Sequence, residues 1–120
     1  MKRGDIYYAH LNPVVDSEQG ETRPCLVVQN DVGNAHSPTI IVIPLTKQLH
    51  KNPLPPHAHN PQACGLAVDS LALVEQIRTI DRSRLGNFVG RIRSYEQATV
   101  NRAFAVSVGI VGTMSLNSGE

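Results

Sequence analysis

The run Thr-Ile-Ile-Val-Ile-Pro-Leu at residues 39–45 constrains the fold more than any other stretch. It is β-branched and apolar at both odd and even positions, so a strand formed by it would be apolar on both faces. Such a strand must be covered on both sides. The run therefore predicts a central strand, and Pro44 near its end limits further pairing because proline has no backbone N–H.

Shorter β-type segments surround this strand. Segments rich in apolar, aromatic and β-branched residues between turn signals predict further strands at residues 5–11, 23–30, 68–79 and 86–92. Residues 12–22 are predicted to form a polar loop, and residues 31–34 a turn or loop, since Gly and Asn tolerate positive φ. Four prolines preclude a helix between residues 47 and 63 but allow a short edge strand around 54–59.

The period of the apolar residues changes near the C-terminus. Ser94 and Gln97 have the spacing of a capping box, and apolar or small residues then recur at helical spacing through Val111. We expect a helix at 94–111 and a frayed tail at 113–120. A single helical turn at 81–84, capped by Asp81, is also predicted.

Short strands, Gly/Pro turns and one closing helix indicate a mostly β protein, a small β-barrel with an appended C-terminal helix. A chain of 120 residues is expected to form one domain, with the barrel at 5–92 and the helix at 94–111.

Composition excludes several classes of protein. Two cysteines, Cys25 and Cys64, do not make a disulfide framework, and Cys25 lies in an apolar segment typical of a core. There is no run long enough for a transmembrane helix and no signal peptide, so a cytoplasmic location is expected. With 11 basic and 10 acidic residues the net charge is only +1. A positive potential that attracts nucleic acid must therefore come from local clusters of Arg and Lys.

The stretch Ser-Glu-Gln-Gly-Glu-Thr-Arg-Pro at residues 17–24 joins the polar loop to the second strand. Pro24 suits the first residue of a strand and favours an extended backbone at Arg23. Arg23 is thus expected at the junction of a loop and a rigid strand, where a side chain can meet a ligand at a fixed angle.

Several motifs in one order carry a resemblance. They are Arg-Gly-Asp-Ile-Tyr at 3–7, Ser-Glu-Gln-Gly at 17–20, Arg-Pro at 23–24, Val-Val-Gln-Asn at 27–30, and two later stretches within 37–46 and 69–81. Over roughly residues 3–85 the chain resembles the MazF/PemK family of toxin endoribonucleases. The resemblance implies an SH3-like barrel with a C-terminal helix, a homodimer with an RNA groove along its interface, and a cognate antitoxin.

The resemblance also implies which residues act. A metal-independent ribonuclease must deprotonate the 2′-OH, stabilise the phosphorane and protonate the leaving 5′-oxygen. Arg23 matches the arginine that stabilises the phosphorane, and Thr46 the threonine that bonds the scissile phosphate. By its ordinary pKa, Glu18 is a better base than Thr46, and the choice of base stays open.

Four further residues are expected to contact RNA. Gln76 can read a base edge, Arg78 would alternate onto the same strand face and hold a phosphate, and Ser17 and Gln19 can contact backbone or base. No cofactor or metal is expected, because the histidines fall in no motif and no cysteine pair has metal-ligand spacing.

The sequence thus predicts the toxin of a type II toxin–antitoxin module, an endoribonuclease that cleaves single-stranded RNA to a 2′,3′-cyclic phosphate and a 5′-hydroxyl. The alternative is a CcdB-like gyrase poison on the same fold, which acts by binding protein. The gyrase poison would end in a Trp-bearing C-terminus, and this chain has no Trp. Asp16 stands where glycine is usual in the family, which would stiffen the loop and add negative charge beside the groove. Residues 50–64, which border the groove in the family, diverge from its pattern, so the cleaved sequence is not predicted.

Overall fold

The computed structural model describes residues 1–11, 22–47 and 70–111, and the backbone of 57–60. Seven strands form one sheet: β1 Asp5–His10, β2 Thr22–Val27, β3 Thr39–Lys47, β4 His57–Asn60, β5 Ser70–Leu73, β6 Arg78–Asp81 and β7 Leu85–Arg91. Two α-helices, α1 Asp31–His36 and α2 Ser94–Ser107, and two 3-10 turns, Val74–Gln76 and Arg82–Arg84, complete the described part.

β3 is the central strand, as its composition predicts. The sheet order is β4-β5-β3-β2-β1-β7, with β6 paired to β3 off this path, and all pairs are antiparallel. β6 pairs with the first half of β3 and β5 with its last three residues. The described strands do not close on themselves, so the expected mostly β fold with a C-terminal helix is confirmed as a barrel-like sheet.

The sheet carries apolar packing on both faces. The first cluster lies between the sheet and α2 and contains Ile6, Leu26, Ile43, Leu45, Ala72, Val74, Ile92, Val100 and Ala103. The second cluster lies on the other face and contains Ala9, Leu11, Cys25, Val27, Ile40, Val42 and Ile80. Because neighbours along β2 and β3 alternate between the two clusters, both strands are buried on both sides. The prediction that Cys25 is a core residue is confirmed.

α2 packs on the first cluster through the predicted stripe. Val100 and Ala103 are buried there, and Phe104 packs against the same cluster. The predicted capping box is wrong by one residue, because Glu96 Oε1 accepts the backbone N–H of Arg93 at 2.8 Å. The helix ends at Ser107 rather than at residue 111, and Gly109 beyond it adopts a φ of 79°.

The predicted turn at 31–34 is wrong, since this segment begins α1. The Asn30 side chain accepts the Gly33 N–H at 2.8 Å and caps the helix. At the other end, Arg82 Nη2 donates to the carbonyl oxygens of Asn34 and Ser37, each at 2.7 Å. These caps satisfy backbone groups that a six-residue helix cannot satisfy alone, and α1 follows so closely that β2 ends at Val27 rather than at residue 30.

The single strand predicted at 68–79 is also wrong. It is divided into β5, the 3-10 turn Val74–Gln76 and β6, with the Ile77 N–H bonded to the Val74 carbonyl at 3.2 Å. The break lets the chain pair with two different halves of β3. The predicted helical turn after Asp81 and the short edge strand are both confirmed, the latter as β4 pairing with β5.

None of the helices described here is long and apolar enough to cross a membrane.

Candidate functional site

Arg23 lies in β2, opposite Ala9 of β1. It alternates with Cys25 and Val27, so its half-buried side chain lies on the face of the second cluster. Arg23 is the second residue of β2, which begins at Thr22. Pro24 is therefore the third residue rather than the first, and it pairs with Tyr8 inside the sheet.

Thr46 lies one residue before the end of β3 and is half-buried. It alternates with Val42 and Pro44, which places it on the same face as Arg23. The β2–β3 register pairs Cys25 with Pro44, and two residues further along each strand are Arg23 and Thr46. The register thus directs both residues to one end of the second cluster.

Arg78 begins β6 opposite Val42 and therefore shares that face. Its Nη2 donates to the carbonyl oxygen of Leu11 at 2.7 Å. Arg84 Nη1 approaches the carbonyl oxygen of His10, at 3.4 Å. Two arginines therefore reach the end of β1, the strand that pairs with Arg23.

Arg84 was not predicted as part of this region. The signal in the sequence is the Arg-Ser-Arg segment after the capping Asp81, which forms a 3-10 turn between β6 and β7. Asp81 Oδ1 accepts the Ser83 N–H at 3.0 Å and the Ser83 hydroxyl at 2.8 Å. These two bonds, the backbone one first, lower the pKa of the Asp81 carboxyl.

The prediction that Gln76 and Arg78 share a strand face is wrong, because Gln76 is not in the strand that Arg78 begins. It is exposed and ends the 3-10 turn, and Ile77 separates it from β6. The predicted residues Ser17, Glu18 and Gln19 lie outside the described residues, as does the predicted tail.

The buried acid Asp5 is engaged away from this end of the sheet. Its Oδ1 accepts from Arg91 Nε at 2.6 Å. The hydrogen bond and the charge of Asp5 raise the pKa of Arg91. Among the residues that the structure describes, no three His, Cys, Asp or Glu side chains are grouped as a metal site would require.

The chemical capacity of this end of the sheet follows from its donors. Arg23 supplies a guanidinium group and Thr46 a hydroxyl on one face, and exposed Lys47 follows Thr46, while the guanidinium groups of Arg78 and Arg84 approach the carbonyl oxygens of Leu11 and His10. Guanidinium donors and a hydroxyl on one rigid face suit an oxyanion with several acceptor oxygens, such as a phosphodiester.

The fold is that of solved toxin structures. A MazE-MazF structure from Deinococcus radiodurans superposes with a TM-score of 0.77 at 21% identity, covering 92% of this chain and 96% of that one. An endoribonuclease in complex with its cognate antitoxin, from Mycobacterial species, superposes with a TM-score of 0.76 at 21% identity and the same coverage. At these identities the likeness is one of fold.

Sequence similarity defines the family. The chain is 45% identical over 112 residues to the endoribonuclease EndoA of Bacillus subtilis (strain 168), covering 92% of this chain and 97% of that protein. It is 41% identical over 111 residues to the endoribonuclease MazF of Staphylococcus saprophyticus, covering 92% of each. The model of the PemK-like, MazF-like toxins of type II toxin-antitoxin systems matches residues 2–108. The chain belongs to this family, which confirms the resemblance seen in its motifs.

Proposed function

We propose that this chain is the toxin of a type II toxin–antitoxin module and cleaves single-stranded RNA without a metal ion. Family membership and the two relatives named as endoribonucleases support this activity. The observation that carries the mechanism is the β2–β3 register, which directs Arg23 and Thr46 to one end of one face.

The reaction forms a bond between the 2′-oxygen and phosphorus and breaks the bond to the 5′-oxygen, leaving a 2′,3′-cyclic phosphate and a 5′-hydroxyl. Negative charge on the phosphoryl oxygens rises in the transition state. Arg23 would meet that charge with two N–H donors, and its position in a paired strand holds them in place before the reaction. Arginine stays protonated at neutral pH and is a poor proton donor, so its role is electrostatic.

Two protons must also move, from the 2′-OH and to the leaving oxygen. Thr46 would bond the phosphate and relay a proton, because a neutral hydroxyl is a weak base. Glu18 is the candidate base. Gln76, Ser17 and Gln19 would contact bases or backbone of the RNA, and the role of Arg78 is argued separately below.

The proposed partners are an RNA substrate, a second copy of this chain and an antitoxin, in the cytoplasm. Two of the fold neighbours are complexes, one with a cognate antitoxin and one with MazE, which supports an antitoxin as a partner. The antitoxin would hold the nuclease inactive by covering its groove.

The rival function, gyrase poisoning, is separable by one experiment. Purified protein is incubated with single-stranded RNA in excess chelator, and in parallel with gyrase and relaxed plasmid. We expect RNA fragments in chelator and unchanged supercoiling. Intact RNA with inhibited supercoiling would favour the rival, and cleavage that requires added metal would contradict the proposed chemistry.

A further inference from the structure

Arg78 has a specific partner inside the fold. The sequence predicted that it would bind a phosphate, yet its Nη2 donates to the Leu11 carbonyl oxygen at 2.7 Å, across 67 positions of the chain. Hydrogen bonds from a charged donor at this distance are among the stronger ones in proteins. The bond therefore fixes two segments that are remote in sequence.

The Leu11 carbonyl lies at the end of β1, and the partly buried bond from the exposed Arg78 side chain satisfies it. Leu11 follows the last residue of β1 and is 2% exposed, so its carbonyl has left the strand ladder while the residue remains in the second cluster. Buried backbone acceptors are almost always paired. The planar guanidinium of Arg78 reaches this oxygen from β6, and Arg84 approaches the preceding carbonyl at 3.4 Å.

The end of β1 is in turn the support of Arg23. Ala9 pairs with Arg23, and His10 pairs with Thr22. His10 and Thr22 also join through their side chains, with Nδ1 and Oγ1 3.0 Å apart. A shift of Leu11 would pass along β1 to these pairs and move the guanidinium of Arg23.

We infer that Arg78 is a positioning residue, which holds Leu11 and the end of β1 so that Arg23 meets the phosphate at a fixed angle. This inference rests on the proposed ribonuclease function. A misplacement of about 1 Å costs on the order of 100-fold in rate when reacting groups must be aligned. The salt dependence of RNA affinity, in contrast, reports the number of phosphates that the protein neutralises.

The first test compares Arg78→Gln and Arg78→Lys with the wild type in single-turnover cleavage over a range of protein concentrations up to saturation. Lysine is a point charge on a flexible stem and does not reproduce the fork of arginine. We expect both variants to slow cleavage by about 10- to 100-fold with little change in the concentration that gives half the maximal rate. Full activity of Arg78→Lys would overturn the inference, because a positive charge without the fork geometry of arginine would then be enough for cleavage.

The second test measures binding of RNA with methylated 2′-hydroxyl groups over a range of salt. For single strands, each phosphate that a protein neutralises contributes about 0.7 to the slope of log affinity against log salt. We expect Arg78→Gln to keep the wild-type slope, as Arg102→Gln on the exposed surface of α2 should. A slope shallower by about 0.7 in Arg78→Gln alone would show that Arg78 binds a phosphate directly, and would overturn the positioning role.

The third measurement needs no activity. Amide hydrogen exchange at residues 9–11 and at Arg23 should be faster in Arg78→Gln than in the wild type, and unchanged in Arg102→Gln. Unchanged exchange in Arg78→Gln would contradict the bond to Leu11 as a support of β1. If the wild type fails to cleave RNA, the proposed function fails, while exchange still decides whether Arg78 supports the strand.

Discussion

Arg23 and Ala9 are direct cross-strand partners in the β1–β2 ladder. Ala9 is 1% exposed and belongs to the second cluster, so the side chain of Arg23 rises beside a small buried residue. The backbone of Arg23 is therefore held in a paired strand, while its side chain is half-buried. This combination suits a residue that must hold a charge in one place.

Arg23→Ala should abolish cleavage and leave the fold intact. Removal of a charge-assisted donor to the phosphorane is expected to slow cleavage by about 100-fold or more. The thermal midpoint should fall by only a few degrees, since the backbone pairs of β2 are kept. Single-turnover rates and thermal unfolding measure the two effects, with Arg102→Ala as the control on an exposed surface. Near-normal cleavage by a folded Arg23→Ala protein would end the proposed role.

Asp81 should contribute stability that disappears in acid. Its folded pKa is lowered by hydrogen bonds from Ser83, so its contribution is present above the unfolded value of about 3.9 and is lost as pH falls through the folded pKa. Urea unfolding from about pH 6 to about pH 2.5 checks this. Asp81→Asn keeps a capping side chain but removes the charge, so the stability difference between the two proteins should shrink with falling pH. A stability difference that does not change with pH would contradict the stabilising role of the ionised Asp81 carboxylate.

The protein should form a symmetric homodimer. A single chain of 120 residues has a modest core, and several large apolar side chains are exposed, among them Phe88 at 53% and Ile110 at 71%. An isologous dimer would cover such groups. Light scattering at micromolar concentration should give twice the chain mass of 13.1 kDa. A monomer at that concentration would count against both the dimer and a groove shared between two chains.

Antitoxin and RNA should weaken each other's binding by the same factor. A segment that covers Arg23, Thr46 and Gln76 would occupy the groove that RNA needs, and linkage makes such coupling reciprocal. A competition titration with RNA whose 2′-hydroxyl groups are methylated measures it at low salt. If a saturating amount of this RNA leaves antitoxin affinity unchanged, the two ligands neither share nor couple their sites.

The periodicity of the sequence predicted the parts of the fold that depend on local pattern. β3 is apolar on both faces through most of its length and is the central strand. Val100 and Ala103 follow a helical stripe and are buried. These predictions are correct because residues buried on one face recur at a fixed spacing, every second residue in a strand and every third or fourth in a helix.

Interactions between distant segments explain where prediction from sequence failed. Gly33 and Asn34 suit a turn, but Asn30 caps the segment at its start and Arg82 donates hydrogen bonds to carbonyl oxygens at its other end. The contact from Arg82 is remote in sequence, so no local pattern shows it. The break at Val74–Gln76 arises because β3 has different partners along its two halves. The hydrogen bond from Arg78 to Leu11 is likewise tertiary, so the sequence could suggest a phosphate ligand but not the actual partner.

The most direct test of the central claim is cleavage of a short RNA in excess chelator, with and without a single 2′-deoxy substitution. The cleaved position is first mapped on the unmodified RNA, and the ends of its fragments are identified by mass spectrometry. Attack by the 2′-oxygen predicts a 2′,3′-cyclic phosphate and a 5′-hydroxyl on the unmodified RNA, and no cleavage at the mapped position when that nucleotide lacks its 2′-OH. Cleavage at the deoxy position, or fragments that carry a 5′-phosphate, would contradict the account.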